Sequence, residues 1–127
     1  MPYRDILVDL FNNRKILGML ILDPSGNIWH HVGVFPQTQD RYVDGYYLIY
    51  EWVTYPASIE VAGVQYLSLL NSYPDYWLLS AIKGEGSLIL QKSKKDYYFL
   101  AYVDEAIDAA EIQKEIKIMS DLFDQGV

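Results

Sequence analysis

The side chains in this chain that could do chemistry are few and poorly assembled for it. His30 and His31 are adjacent. In a strand they point to opposite faces, so they cannot chelate one ion together, and a pair of ordinary strand residues is the better reading. Lys83-Gly84-Glu85-Gly86-Ser87 is glycine-rich but lacks the spacing of a phosphate-binding loop, and a hairpin turn explains it. Ser, His and Asp are too scattered for a nucleophilic triad, and there is no Gly-x-Ser-x-Gly stretch. The pair Asp104-Glu105 sits at the mouth of a helical segment, where carboxylates complement the helix dipole. The 127 residues contain no cysteine, which removes disulfides, thiolate metal sites and thiol nucleophiles. No metal site or cofactor is expected, and these residues leave an enzyme open without asking for one.

The elements that would position these residues follow from periodicity. Ile6, Leu7, Leu10 and Phe11 repeat at helical spacing, closed by Asn12 and Asn13. Lys15–Leu22, Asp23-Pro24-Ser25-Gly26 and Asn27–Val34 read as strand, type I turn and strand. Val43, Tyr46, Tyr47, Tyr50 and Val53 predict a helix capped by Asp40 and stopped by Tyr55-Pro56. Four strands follow, at Val64–Leu70, Trp77–Ile82, Ser87–Lys92 and Tyr97–Val103. Asp108 and Glu111 then form a capping-box pattern, with Ile112, Ile116, Met119 and Phe123 on one helical face and Gly126 at its end. Consecutive hairpins between helices predict a single α+β domain over residues 1–127: a central antiparallel sheet, the N- and C-terminal helices on one face and the middle helix on the other.

Composition narrows the partners. The net charge is −7, which argues against a protein that grips phosphate backbones. The longest apolar runs fall short of the roughly 18–20 residues of a membrane span, and Met1–Leu10 lacks a signal-peptide core, so a cytoplasmic location is expected. Twelve tyrosines and three tryptophans are unusual, and eight of the tyrosines fall between Tyr42 and Trp77. Most are expected to fill the core and strand faces. Lys83, Lys92, Lys94 and Lys95 are expected on neighbouring hairpin ends, opposite an acidic stretch from Asp104 to Asp124.

Four segments resemble one family. Gly26–Pro36 (GNIWHHVGVFP) is similar, in register, to the profilin stretch Gly-x-Val-Trp-Ala-x-x-x-x-Phe-Pro. Ala62-Gly63-Val64-Gln65-Tyr66 resembles the Gly-Gly-x-Lys-Tyr strand, Ala81–Ser93 the GKKGSGGITIKKT hairpin, and Leu122–Val127 the terminal Leu-Ile-Asp-Gln-Gly-Leu. In order and at the right spacing, they cover nearly the whole chain and point to a divergent profilin of archaeal, Asgard type. The resemblance implies a monomeric protein that binds globular actin at its barbed-end face, limits nucleation and permits filament elongation. It implies an actin-facing set of Pro56, Gln65, Leu67, Lys83, Ser87, Ala109 and Gln113, with Gln65 and Ser80 replacing the family's Lys and Arg, and Asn71–Tyr76 a longer loop.

The same resemblance puts Tyr3 and Trp29 in a groove for proline-rich peptides. Because Ile6 and Asp121 stand where aromatics are common, weak or no binding is expected there. Lys92, Lys94 and Lys95 are the local candidates for phosphoinositides. The rival architecture is a roadblock or longin-type dimeric scaffold for small GTPases, which sandwiches a similar sheet.

Overall fold

A computed structural model describes residues 2–35 and 43–126. Its elements are α1 (Pro2–Asn12), β1 (Gly18–Leu22), β2 (Ile28–Gly33), α2 (Gly45–Trp52), β3 (Ser58–Val61), β4 (Val64–Ser72), β5 (Tyr76–Ala81), β6 (Ser87–Lys92), β7 (Tyr98–Val103) and α3 (Ala109–Gln125). The seven strands form one antiparallel sheet in the order β2-β1-β7-β6-β5-β4-β3.

Two buried layers sandwich that sheet. On one side, Met19, Ile21, Ile89, Phe99, Ala101 and Val103 meet Leu7 and Leu10 of α1 and Ile112, Ile116, Met119 and Phe123 of α3. On the other, Leu20, Leu22, Trp77, Leu79, Leu88 and Leu100 meet Leu48 and Trp52 of α2. The alternation of residues between these layers is the period-two signature of strands buried on both faces. The predicted α+β sandwich is therefore observed, with the terminal helices together and the middle helix opposite.

Local chemistry accounts for most boundaries. In the β1–β2 hairpin, Gly26 N–H donates to Asp23 O (2.9 Å), and Asp23 Oδ1 accepts from Ser25 N–H (2.9 Å) and Asn27 N–H (3.0 Å). Gly26 has φ +89°, closing a three-residue loop as glycine does best. This turn rests on the start of α2, where a Cβ on Gly45 would lie 2.2 Å from the Gly26 carbonyl oxygen. Asp108 caps α3 by accepting from Ala110 N–H at 3.0 Å.

Several expectations are corrected. The α2 cap is Asp44, whose carboxylate accepts from Tyr47 N–H at 3.1 Å; Asp40 lies outside the described residues. β3 has no counterpart in the expected order. It pairs with β4 across Ala62-Gly63, both at positive φ (52° and 85°), a tight primed turn. Tyr46, Tyr47, Tyr50, Tyr55 and Tyr73 are exposed rather than buried. The buried side of α2 is Gly45, Leu48 and Trp52, so the tyrosines face outward. Finally, Lys83 and the Lys92–Lys95 group lie at opposite ends of β6, not on neighbouring ones.

Candidate functional site

α1 and α3 cover only part of the sheet. α3 packs mainly on β6 and β7 and its core layer reaches Leu78 of β5, while on the same face β4 and the Ser80 end of β5 keep Leu67, Leu70 and Ile82 exposed. Register brings Ser58, Leu67, Ser80 and Ser87 side by side across β3, β4, β5 and β6, and Ser87 continues to Val103, a core residue beneath α3. The row therefore lies on the helix-covered face but beyond the helices. Leu67 (47% exposed), Leu70 (45%) and Ile82 (54%) stand on this surface as uncovered apolar groups. Ile82 N–H donates to Gln65 O at 3.0 Å, which places it beside Gln65.

The seven family-implied positions divide on this geometry. Gln65 and Leu67 are exposed on β4, and Ser87 is half-buried at the start of β6. Lys83 is exposed on the β5–β6 loop. Pro56 precedes Ala57, whose carbonyl accepts from Ser68 N–H (2.9 Å), so it borders the same rim. Ala109 instead belongs to the core under α3. Gln113 is buried, and its Nε2 donates to Gln91 Oε1 at 2.8 Å. These last two offer little side-chain surface to a partner.

Gln113 is one end of a polar relay that the residue pattern did not reveal. Gln91, fully buried on β6, donates from Nε2 to Asp75 Oδ1 (2.8 Å) and Asp75 O (3.0 Å). Lys117 Nζ donates to the same Asp75 Oδ1 at 2.9 Å. The expected Asn71–Tyr76 loop is mostly strand, with only Tyr73, Pro74 and Asp75 between β4 and β5, and the relay ties this turn to α3 at the margin of the bare face. Partial burial of Asp75 pushes its carboxyl up, but the bonds from Lys117 and Gln91 outweigh it and hold the carboxyl below its ordinary value of 3.8. Its folded pKa lies below the unfolded one, so the stabilisation is present above about pH 4 and is lost as pH falls through the folded value. Acid titration of unfolding should therefore show Asp75→Asn with a shallower loss of stability below pH 4; identical slopes would remove Asp75 from the acid response.

The aromatic pair behaves differently from two core residues. Tyr3 is buried and stacks edge-on against Phe123 at 5.0 Å between ring centres. Trp29 is 52% exposed and meets the other side of Phe123 at 5.6 Å and Tyr97 at 6.3 Å. Only Trp29 thus presents a broad open ring. Ile6 is half-buried, and Asp121 lies half-buried on α3, neither providing a second flat surface.

The lysine group is also partly committed. Lys92 pairs with Asp96 at 2.8 Å, and Asp124 Oδ2 accepts from Lys94 N–H at 2.7 Å. Acidic groups are therefore interleaved with Lys92, Lys94 and Lys95. His30 and His31 face opposite sides of the sheet: His30 borders a groove against α1, His31 one toward Phe35 and Val43. Among the described residues no group of three or more His, Asp or Glu is placed to hold a metal ion. No described helix is long and apolar enough to cross a membrane.

No protein-family model matches the chain, and no curated protein matches it. Solved structures do. LokiProfilin1 is 14% identical with a TM-score of 0.74, covering 99% of this chain and 98% of that one. LokiProfilin2, solved in complex with rabbit actin, is 16% identical at 0.73, over 95% and 94%. Acanthamoeba castellanii profilin IB is 20% identical at 0.69, over 94% of each chain. Sheet order, helix placement and this full-length superposition agree: the chain has the profilin fold.

Proposed function

We propose that the chain is a profilin that binds monomeric actin through the bare β3–β5 face and acts on filament assembly in the cytoplasm. The observation that carries this reading is the uncovered half-sheet, where Leu67, Leu70 and Ile82 stand exposed beside polar Gln65, Ser80 and Ser87. An apolar centre with a polar rim is the composition of a specific protein interface, which would bury roughly 1,200–2,000 Å² in total. Two similar structures, LokiProfilin1 and LokiProfilin2, were solved with rabbit actin. Docked there, the protein caps the monomer surface that nucleation needs, and the monomer is released on reaching a barbed end.

Pro56, Gln65, Leu67, Lys83 and Ser87 are the contact residues in this reading, with Ala109 and Gln113 supporting them from below. Gln65 and Ser80 supply hydrogen bonds in place of charge-assisted ones, each of which is typically stronger by about 1 kcal/mol. Affinity then rests on apolar area more than on ion pairs. Trp29, with one open ring, gives at most a weak hold on proline-rich peptides. The acid-interleaved Lys92, Lys94 and Lys95 give little purchase on phosphoinositides.

The test is polymerisation of labelled actin with increasing protein at low salt. A dose-dependent delay of nucleation with barbed-end growth intact supports the proposal. A stable dimer without effect on actin would favour the GTPase-scaffold reading instead. Lys83→Glu should weaken actin binding about tenfold at low salt and less at high salt, because an exposed interfacial charge acts through a screened field. An unchanged dissociation constant would remove Lys83 from the interface.

A further inference from the structure

The sheet ends in two unlike edges. β3 is four residues long and carries Glu60, two common protections against unwanted strand pairing. β2 is six residues, Ile28–Gly33, with no Lys, Asp, Glu or Pro, and among the described residues no strand pairs with its outer side. Past Trp29, which is left out of the register with β1, alternate residues of His30–Gly33 therefore aim N–H and C=O groups into a position that no described strand occupies.

A groove flanks this edge on each face. Toward α1, Leu7, Val8, Phe11, His30 and Val32 line about 490 Å³. Toward α2, Leu20, Ile28, His31, Val34 and Phe35 line about 500 Å³. Both fall within the roughly 300–1,000 Å³ of ordinary ligand pockets. Among the described residues no carboxylate lines either groove, although the chain has 17 acidic residues. The acids of α1, Asp5 and Asp9, turn the other way, into a cleft with Glu115 of α3. Charge in the grooves comes from Arg4, with His30 and His31 the ring nitrogens.

We propose that the edge of β2 docks an extended peptide that pairs as an eighth strand, drops successive apolar side chains into the two grooves, and is flanked by acidic residues. The free backbone edge selects a strand, because only an extended chain can complete the ladder. The grooves on both faces select apolar residues at consecutive positions, since neighbours in a strand point to opposite sides. The carboxylate-free lining of an otherwise acidic protein selects a negative flank. A proline-rich segment is excluded, because proline has no N–H to give.

The probe is the synthetic peptide Glu-Glu-Val-Leu-Val-Ile-Glu-Glu, titrated into the ¹⁵N-labelled full chain. Amide shifts should centre on Ile28–Val34. N-methylation of the alternate core residues that face β2 should weaken binding at least about tenfold, as two or three ladder bonds are lost. Lysine flanks, or the His30→Glu/His31→Glu double variant with an unchanged circular dichroism spectrum, should weaken it by a similar factor at low salt. Equal binding of the N-methylated peptide would overturn the strand-pairing geometry. Absence of shifts at about 1 mM peptide, shifts centred elsewhere, or sedimentation showing β2 buried in a dimer would overturn the proposal itself.

Discussion

Phe123→Ala should lower unfolding stability by about 3–5 kcal/mol, the largest loss expected from any single truncation in the terminal-helix layer. Phe123 is fully buried on α3, and its ring contacts four others edge-on or nearly so: Tyr3 at 5.0 Å, Tyr97 at 5.1 Å, Phe99 at 5.2 Å and Trp29 at 5.6 Å. Removing it opens a cavity that none of these rings can fill alone, and it also removes the edge-to-face attractions, each about 0.5–1.5 kcal/mol. Because Tyr3 belongs to α1 and Trp29 to β2, the substitution should loosen the N-terminal helix first. Chemical denaturation would measure the loss, and hydrogen exchange of the α1 amides would speed up more than that of the β4–β6 amides. A loss below about 1.5 kcal/mol would mean that the surrounding rings collapse into the space.

Gln91→Leu should cost about 2–3 kcal/mol although it adds an apolar group to a buried strand position. The substitution leaves the Gln113 amide with no partner inside the protein and takes one of two hydrogen bonds from Asp75 Oδ1. Asp75 retains Lys117 and some solvent, so most of the cost arises at buried Gln113. The double variant Gln91→Leu/Gln113→Leu should recover more than half of it, since removing both members of a buried polar pair is far cheaper than removing one. Additive losses in equilibrium unfolding would show that the two amides are not coupled. The same pair of variants bears on the proposed actin binding, since Gln91 and Lys117 tie the Asp75 turn between β4 and β5 to the α3 layer.

What the residues disclosed in advance depended on whether local chemistry had one solution. Asp23-Pro24-Ser25-Gly26 has one, and the hairpin is where it was expected. Ile112, Ile116, Met119 and Phe123 recur at a spacing that only a helix buries, and all four are buried. β3 was invisible because Ser58–Val61 is short and its turn places Ala62, not Asn or Asp, at positive φ. In α2 the helical period was legible but its buried side was not, since Tyr46, Tyr47 and Tyr50 compete with Leu48 and Trp52 as apolar candidates. The choice was made by the shape of the sheet beneath, where Trp52 fits fully. Exposed positions of the candidate face were legible as strand residues, but not as uncovered ones. Leu70 and Ile82 look like core residues until the span of α3 is known. Gln91 gave no signal, because a polar residue in an apolar strand reads as an outward one.

The strand order has a consequence for how the chain assembles. β3 through β7 form a continuous meander in which each strand pairs with its sequence neighbour, so this half can zip up by closing short loops one after another. The N-terminal hairpin joins it along a single seam, where Leu20 meets Leu100 from the far end of the chain. That seam and the packing of α1 against α3 are where the longest loops must be closed. This topology predicts that the meander forms first and that the hairpin with α1 docks last and opens first. The proposed actin face is built on the early half, and the bare edge of β2 on the late one, so a ligand at that edge would lengthen the lifetime of the closed seam.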